Sequence, residues 1–567
     1  LLGFRILWQA QRCPHVLVHY LKHAPYDSRQ ASPGDLLQAA ARYESLQTSD
    51  AADDSPGSEQ SANQQLDSQF QLRQEELVRR FALARLGNIR LLEGDSIWAL
   101  EAETWREMGF MQALSPEPTM QSDKSSRMPF DQQLQVHGWS KFLSGLPSVS
   151  NIWLSYNKIH VHIDFAFWFK GAWYFFLARP SPKIKDTSIA DAELSRWVAQ
   201  NCGLPLGGMY LLHPRDGYVR RGELDDEAVV IDSLQHLLKY FKQGVGNLAP
   251  AILARTAEGT MPACGRRFCP VCNPHAQTVS PFSIHTLYKG GRAVQLLLEA
   301  GITDIRDIAQ AAESIKKELS DKQLLQITAV TTTSTHLDRS ALATFLEQLV
   351  FPLCFLDFEC SSRALSAYEG TANWELVPFL FSWHRVDSLE DLLKFKTSAG
   401  KVSCARPGED GRSFLAQELA EGPGLVSGSV IGYGTALEKN VLNRLSNNFP
   451  QYKTALRGLL DRLLDIQDPF VRFLYYHPEQ KGKTSLKTTL PLLTGVSHKD
   501  LIMQSGGLAH LYWAFLSDAG ELTGELQQRF TGNAVPQRIT EICDYAAMDT
   551  LGLVHLLVAL VRLSTQK

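Results

Sequence analysis

A chain of 567 residues is too long for one hydrophobic core and predicts several domains. Its 44% apolar and 20% charged residues fit a soluble globular protein, and a formal charge of −4 excludes a surface coated in positive charge. Any nucleic-acid contact must then come from local basic patches, of which Arg266-Arg267, Lys183 with Lys185, and the lysines from Lys481 to Lys487 are candidates. No uninterrupted apolar run reaches the roughly 18 residues of a membrane span, and the stretch 165–178 is broken by Lys170-Gly171, so no membrane partner is expected. Nine cysteines in so long a chain do not read as a disulfide framework, and reduced thiols in a cytoplasmic protein are expected. The opening at Leu1, without Met or a charged n-region, reads as a truncated start rather than a secretory signal.

In chain order, residues 9–24 predict a helix with Pro14 near its first turn and Cys13 towards its start. Residues 47–69 are rich in Asp, Ser, Gln and Ala with little to bury, and predict a disordered insert. Helical patterns resume over 75–86 and 96–108, and a polar loop containing Pro follows over 115–129. Residues 161–169 and 172–179 read as two aromatic-rich strands joined by Lys170-Gly171. A helix carrying Leu194, Trp197 and Val198 and a strand over 208–213 complete an α/β order. Further on, Cys264-Gly-Arg-Arg-Phe-Cys269-Pro-Val-Cys272 sets three thiols at a spacing that closes on one soft metal centre. The fourth ligand stays open on spacing alone: His275 would complete a local Cys3His zinc site, and Cys13 a four-cysteine site.

Cys13 near the start, Asp164 in the aromatic hairpin and the late cysteine trio together resemble the RecB-like nucleases of the CRISPR-associated Cas4 type, over about the first 275 residues. The resemblance implies a PD-(D/E)XK fold and a 4Fe–4S cluster on Cys13, Cys264, Cys269 and Cys272; zinc is the alternative that the spacing leaves open. The family carries Glu-x-Lys on the strand after its aspartate, whereas this chain has Leu177-Ala178-Arg179, and Ser195 stands at the place of a supporting Gln. A metal site without its second carboxylate should not cut, so this domain is expected to be a degenerate nuclease fold kept as a scaffold or DNA-binding surface. Residues 283–310, with Leu287, Leu296, Leu297, Leu298 and Gly301-Ile302-Thr303-Asp304-Ile305, read as a structural αα-hairpin with a faint helix-hairpin-helix likeness.

The second half is organised around Leu353-Cys354-Phe355-Leu356-Asp357-Phe358-Glu359, an apolar strand that ends in acid. Alternation puts Asp357 and Glu359 on one face and Leu356 and Phe358 on the other. Burying two carboxylates together is costly without a cation, and a divalent metal resolves that cost. A strand follows over 377–384, another over 428–433, and a helix over 435–445 opens with Glu438. Thr435 and Glu438 match a capping box, and Glu438 equally suits a third metal-site carboxylate. In a final helix over 540–563, Ile542, Tyr545, Leu553, Leu556 and Leu560 form an apolar stripe, and Asp549 falls on the same face one turn after Tyr545.

The order Asp-x-Glu, an acid early in a later helix, and Tyr-x-x-x-Asp on a final helix resembles the DEDDy branch of the RNase H-like 3′–5′ exonucleases. That resemblance implies that Asp357, Glu359 and Asp549 hold two Mg²⁺ or Mn²⁺ ions, with Glu438 standing where the superfamily has Asp, and that Tyr545 orients the attacking water. The stretch 350–560 also resembles an uncharacterised bacterial domain often found behind a RecB-like region. Its hallmarks recur as Phe355 to Glu359, Tyr368-Glu-Gly-Thr371, 377–382, 437–439, Asp465, Tyr475-Tyr-His-Pro478, Ser485-Leu-Lys487 and 545–550. His477 and Lys487 are candidate phosphate contacts.

The expectation is an α/β protein in three parts: a degenerate PD-(D/E)XK-like domain over 1–275, a helical connector over 276–345 and an RNase H-like, DEDD exonuclease-like domain over 346–567. The expected activity is metal-dependent cleavage of single-stranded DNA or RNA from the 3′ end. The alternative is an inactive nucleic-acid-binding protein with a structural iron–sulfur or zinc site.

Overall fold

The computed structural model describes residues 59–87, 90–91, 128–156, 159–240, 282–497, 501, 503 and 505–565. They form a mixed α/β protein that divides into two compact units, Leu1–Gln277 with Ser362–Glu375, and Thr278–Ser361 with Leu376–Lys567.

In the first unit, β1 (Arg90–Leu91), β2 (Ser148–Tyr156), β3 (Ile159–Phe169), β4 (Ala172–Ala178), β5 (Leu206–Pro214) and β6 (Val229–Ser233) lie side by side in chain order. The β2–β3–β4 meander is antiparallel, and β5 joins β4 in parallel after a crossover helix. Helix α1 (Glu59–Leu86) brings Val78 and Ala82 against Phe165, Phe167 and Phe176, whereas α2 (Asp186–Asn201) brings Leu194 and Val198 against Ile163, Phe175 and Leu177.

The disordered insert expected over 47–69 is overturned from Glu59 onward. The segment 47–69 is helical from Glu59 onward, while 47–58 lie outside the described residues. Leu66, Phe70, Gln74, Val78 and Ala82 recur every fourth residue and are all buried. With a single inward position per turn, a polar composition conceals a helix that packs along its whole length. The expected helices over 9–24 and 96–108 lie outside the described residues.

The connection 362–375 folds with the first unit, which is therefore discontinuous in sequence. Gln74 Oε1 accepts the Ala364 N–H at 2.8 Å, Asn373 Nδ2 donates to the Ala228 carbonyl at 2.8 Å, and Trp374 Nε1 donates to the Pro180 carbonyl at 2.6 Å. Consecutive domain boundaries do not contain this excursion.

The second unit is built on β7 (His336–Leu337), β8 (Leu353–Ser361), β9 (Val377–Val386), β10 (Ala399–Cys404), β11 (Val430–Gly432), β12 (Leu463–Asp465) and β13 (Tyr475–Tyr476). Its main sheet has the order β10-β9-β8-β11-β12, antiparallel through the first three strands and parallel through the last three. Helices α3 (Ala436–Asn448), α4 (Leu486–Thr494), α5 (Gly506–Ser517) and α6 (Ala534–Thr565) complete the elements that frame the acids.

Strand alternation splits β8 between two cores. Leu353 and Phe355 pack with Leu553, Leu556 and Leu557 of α6, whereas Cys354, Leu356 and Phe358 pack with Leu415 and Leu419 of the helix Arg412–Glu421 and with Leu442 of α3. By length and composition α6 could cross a membrane, yet more than half of its most apolar stretch is buried inside the protein.

From Phe282 onward, the expected connector belongs to the second unit. Leu287, Leu297, Ile302, Ile305 and Ile308 share a small core there, and Gly301 turns the chain at φ 77°. The Arg306 N–H after this turn is accepted by Asp304 at 2.9 Å, so that donor closes a local cap rather than facing outward as a phosphate contact would.

Candidate functional site

The face of β8 that packs on α6 continues from Leu353 and Phe355 to Asp357 and Glu359. One carboxylate oxygen from each of Asp357, Glu359 and Asp549 lies within 4.8 Å of the other two. At that separation, two like charges repel by about 3 kcal/mol at an effective dielectric of about 20. Glu359 and Asp549 are buried and Asp357 is half-buried, so solvent relieves little of this repulsion.

Burial and mutual repulsion both favour the protonated form of these acids. Burial, then Asp549, Glu359 and Glu438, push the Asp357 carboxyl well above the usual carboxylate range. Burial and Asp549 raise Glu359 to about 8, with Lys487 of α4 pulling the other way. Burial raises Glu438 to about 7, opposed by its own backbone N–H and by a hydrogen bond with Asp357. The Tyr545 phenol is kept protonated by burial and by Asp549 and Glu359, and it donates to Asp549 one helical turn away.

The two readings of Glu438 separate on Asp465. At the start of α3, the Thr435 side chain makes no cap hydrogen bond. The Thr435 N–H goes instead to Asp465 at 2.9 Å, and Asp465 also accepts the N–H groups of Gly434 at 2.8 Å and Gln467 at 2.9 Å. Glu438 is 3% exposed, and its Oε2 has no hydrogen-bond partner. An orphaned carboxylate oxygen next to three gathered acids is a donor set suited to a hard divalent cation.

Three neighbours were not legible as site residues. A Cβ on Gly506, at the start of α5, would lie 3.3 Å from Glu359 Oε2, so glycine lets that helix start approach the acid closely. Its sequence signal is Ser505, which caps α5 by accepting the Leu508 N–H at 3.2 Å. Ser382 Oγ donates to the Ala546 carbonyl at 2.6 Å, and His384 Nδ1 lies 2.8 Å from Thr550 Oγ1; together they fasten α6 to β9.

Of the two candidate phosphate contacts, His477 closes a local turn, with Nδ1 accepting the Glu479 N–H at 3.2 Å. Lys487 is exposed on the first turn of α4 and acts electrostatically on Glu359.

In the first unit, Asp164 is fully buried and its oxygens are already engaged. Arg79 Nε donates to Oδ1 at 2.7 Å, the Ala178 N–H donates to Oδ2 at 2.8 Å, and Arg179 Nη1 lies 3.4 Å from Oδ2. Arg179 also bonds to Asp191 and lies 3.4 Å from Glu75. Burial opposes the charge on Asp164, but Arg79, His162 and Arg179 hold its carboxyl at about 2. Guanidinium groups thus neutralise the acid where the resemblance would put a metal ion. Ser195 is buried and its Oγ has no hydrogen-bond partner. Cys13, Cys264, Cys269, Cys272 and His275 lie outside the described residues.

Residues 354–485 match the family described as Domain of unknown function (DUF2779). The matched span contains Asp357, Glu359, Glu438 and Asp465 and ends before Lys487, Tyr545 and Asp549. No curated protein and no solved structure matches the chain.

Proposed function

We propose that the second unit is a metal-dependent nuclease that removes nucleotides from the 3′ end of single-stranded DNA or RNA. The observation that carries this reading is the convergence of Asp357, Glu359 and Asp549 within 4.8 Å, with the Tyr545 phenol held on Asp549. The sheet order, three antiparallel strands followed by two parallel ones with the acids on the central strand, supports the RNase H-like assignment.

Asp357, Glu359 and Asp549 would hold two Mg²⁺ or Mn²⁺ ions, with the orphaned oxygen of Glu438 as a further ligand. When bound, such a pair polarises a phosphodiester and makes water a competent nucleophile at neutral pH. Tyr545 keeps its proton among the acids and can orient the water as a neutral donor. Lys487, at the start of α4, supplies a cation for the substrate phosphate. Glu359 meets the N-terminal end of α5, whose partial positive charge moderates the repulsion among the acids.

The first unit, read as a degenerate PD-(D/E)XK-like fold, contributes no metal chemistry at Asp164 in this account, because arginines already balance its charge.

The test is digestion of single-stranded DNA and RNA labelled at either end, with Mn²⁺ or with chelator. The 5′-labelled strand should shorten progressively and the 3′-labelled strand should release its label at once, only with metal. Binding without cleavage would instead make the chain a nuclease fold reused for nucleic-acid binding.

A further inference from the structure

Cys404 at the end of β10 and Cys543 on α6 are half-buried free thiols. Three features bring them together. Cys404 is opposite Leu380 of β9, and Leu380 is opposite Glu359 of β8, so Cys404 shares a cross-strand row and a sheet face with Glu359. The preceding residue, Ser403, points the other way and donates to Glu418 at 2.9 Å, which leaves Cys404 facing α6. Ser382, on that same α6 face of β9, reaches the Ala546 carbonyl at 2.6 Å, and Cys543 lies one helical turn before Ala546. The two thiols are in hydrogen-bond contact.

We propose that Cys404 and Cys543 form a reversible disulfide on exposure to a peroxide, covalently clamping α6 to β10. The hydrogen bond with Cys404 lowers the Cys543 thiol against the effect of burial, which makes Cys543 the nucleophile. Its thiolate attacks one peroxide oxygen, the O–O bond breaks, and the leaving hydroxide takes a proton to become water. The resulting Cys543 sulfenic acid is attacked by the Cys404 sulfur; the S–S bond forms and a second water leaves. Two thiols and one hydrogen peroxide thus give one disulfide and two waters. Little movement is needed, because the sulfurs need only close from hydrogen-bond contact to about 2.05 Å. Cys354 and Cys360 do not compete: both are buried, and burial raises Cys354 to about 12 and Cys360 well above its ordinary value.

The clamp would act next to the candidate site. Cys543 precedes Tyr545 by two residues, and Cys404 shares its row with Glu359. The inference stands apart from the nuclease reading, because its readout is the bond itself.

The test treats the full chain with hydrogen peroxide, blocks free thiols with N-ethylmaleimide, and maps the digest by mass spectrometry with and without prior reduction. The expected result is a peptide joining Cys404 to Cys543, two hydrogens lighter than its parts and lost on reduction. In Cys404→Ser, the oxidised Cys543 should react with dimedone, a sulfenic-acid trap, and the linked peptide should be absent. Full alkylation of both thiols after peroxide, linkage of either to another cysteine, or sulfinic acid at Cys543 without a linked peptide would overturn the proposal.

Discussion

Asp465 accepts the Thr435 backbone N–H at 2.9 Å, so the capping-box bond from Glu438 back to Thr435 is not made. The acid that holds the Thr435 N–H and the acid that joins the cluster are thus different residues. Asp465→Ala should destabilise the protein by about 2 kcal/mol, because it strips a side-chain acceptor from several backbone N–H groups at once. Glu438→Gln should leave the melting temperature close to the parent's and weaken Mn²⁺ binding in a calorimetric titration. Equal Mn²⁺ affinity in Glu438→Gln would remove Glu438 from the ligand set.

Stability of the metal-free protein should fall as pH rises. Folded Glu359 has its carboxyl raised to about 8 from an ordinary 4.5, so between those values the folded state holds a proton that the unfolded state has released. The stabilisation is complete below the unfolded value and is lost as pH rises through the folded one. Urea titrations from pH 5 to pH 8.5 should show a decline on the order of a few kcal/mol, flattened in Glu359→Gln and reversed at the alkaline end by Mn²⁺. A metal-free protein that gains stability over that range would contradict the buried-acid account.

Tyr545→Phe keeps the ring in its core position and removes the O–H held on Asp549. Cleavage should slow by roughly 100-fold, the lower end of what a positioned proton donor contributes, with Mn²⁺ affinity nearly unchanged. Loss of metal binding in step with rate would make Tyr545 a support for Asp549 rather than a group that handles water.

Asp164→Ala should leave cleavage untouched and destabilise the first unit by about 3–5 kcal/mol, because it abandons Arg79 and Arg179 around a buried carboxylate. Circular dichroism melts and strand digestion of the same preparation separate the two effects. A folded Asp164→Ala protein that no longer cuts would restore a catalytic role to the first unit.

What was legible in the sequence followed local periodicity. Period-two alternation sets Asp357 and Glu359 on one face, and a four-residue spacing sets Tyr545 beside Asp549; both relations arise within single elements. The role of Glu438 was undecidable locally, because the residue that decides it, Asp465, arrives on another strand. Arg179 was readable as a missing lysine but not as a counterion to Asp164, which also needs Arg79 from α1. Part of α1 itself was hidden by a polar composition around one buried residue per turn. The pairing of Cys404 with Cys543 depends on strand register and helix placement, neither of which adjacent residues encode.

The most direct measurement compares Mn²⁺-dependent release of nucleotides from 3′-labelled single strands by the parent, Asp357→Asn and Asp549→Asn, each shown to be folded. The parent should release nucleotides, and both variants should lose at least about 1,000-fold, since each removes a ligand charge from the same cluster. Release by folded variants at the parent's rate would show that these carboxylates are not where the chemistry happens.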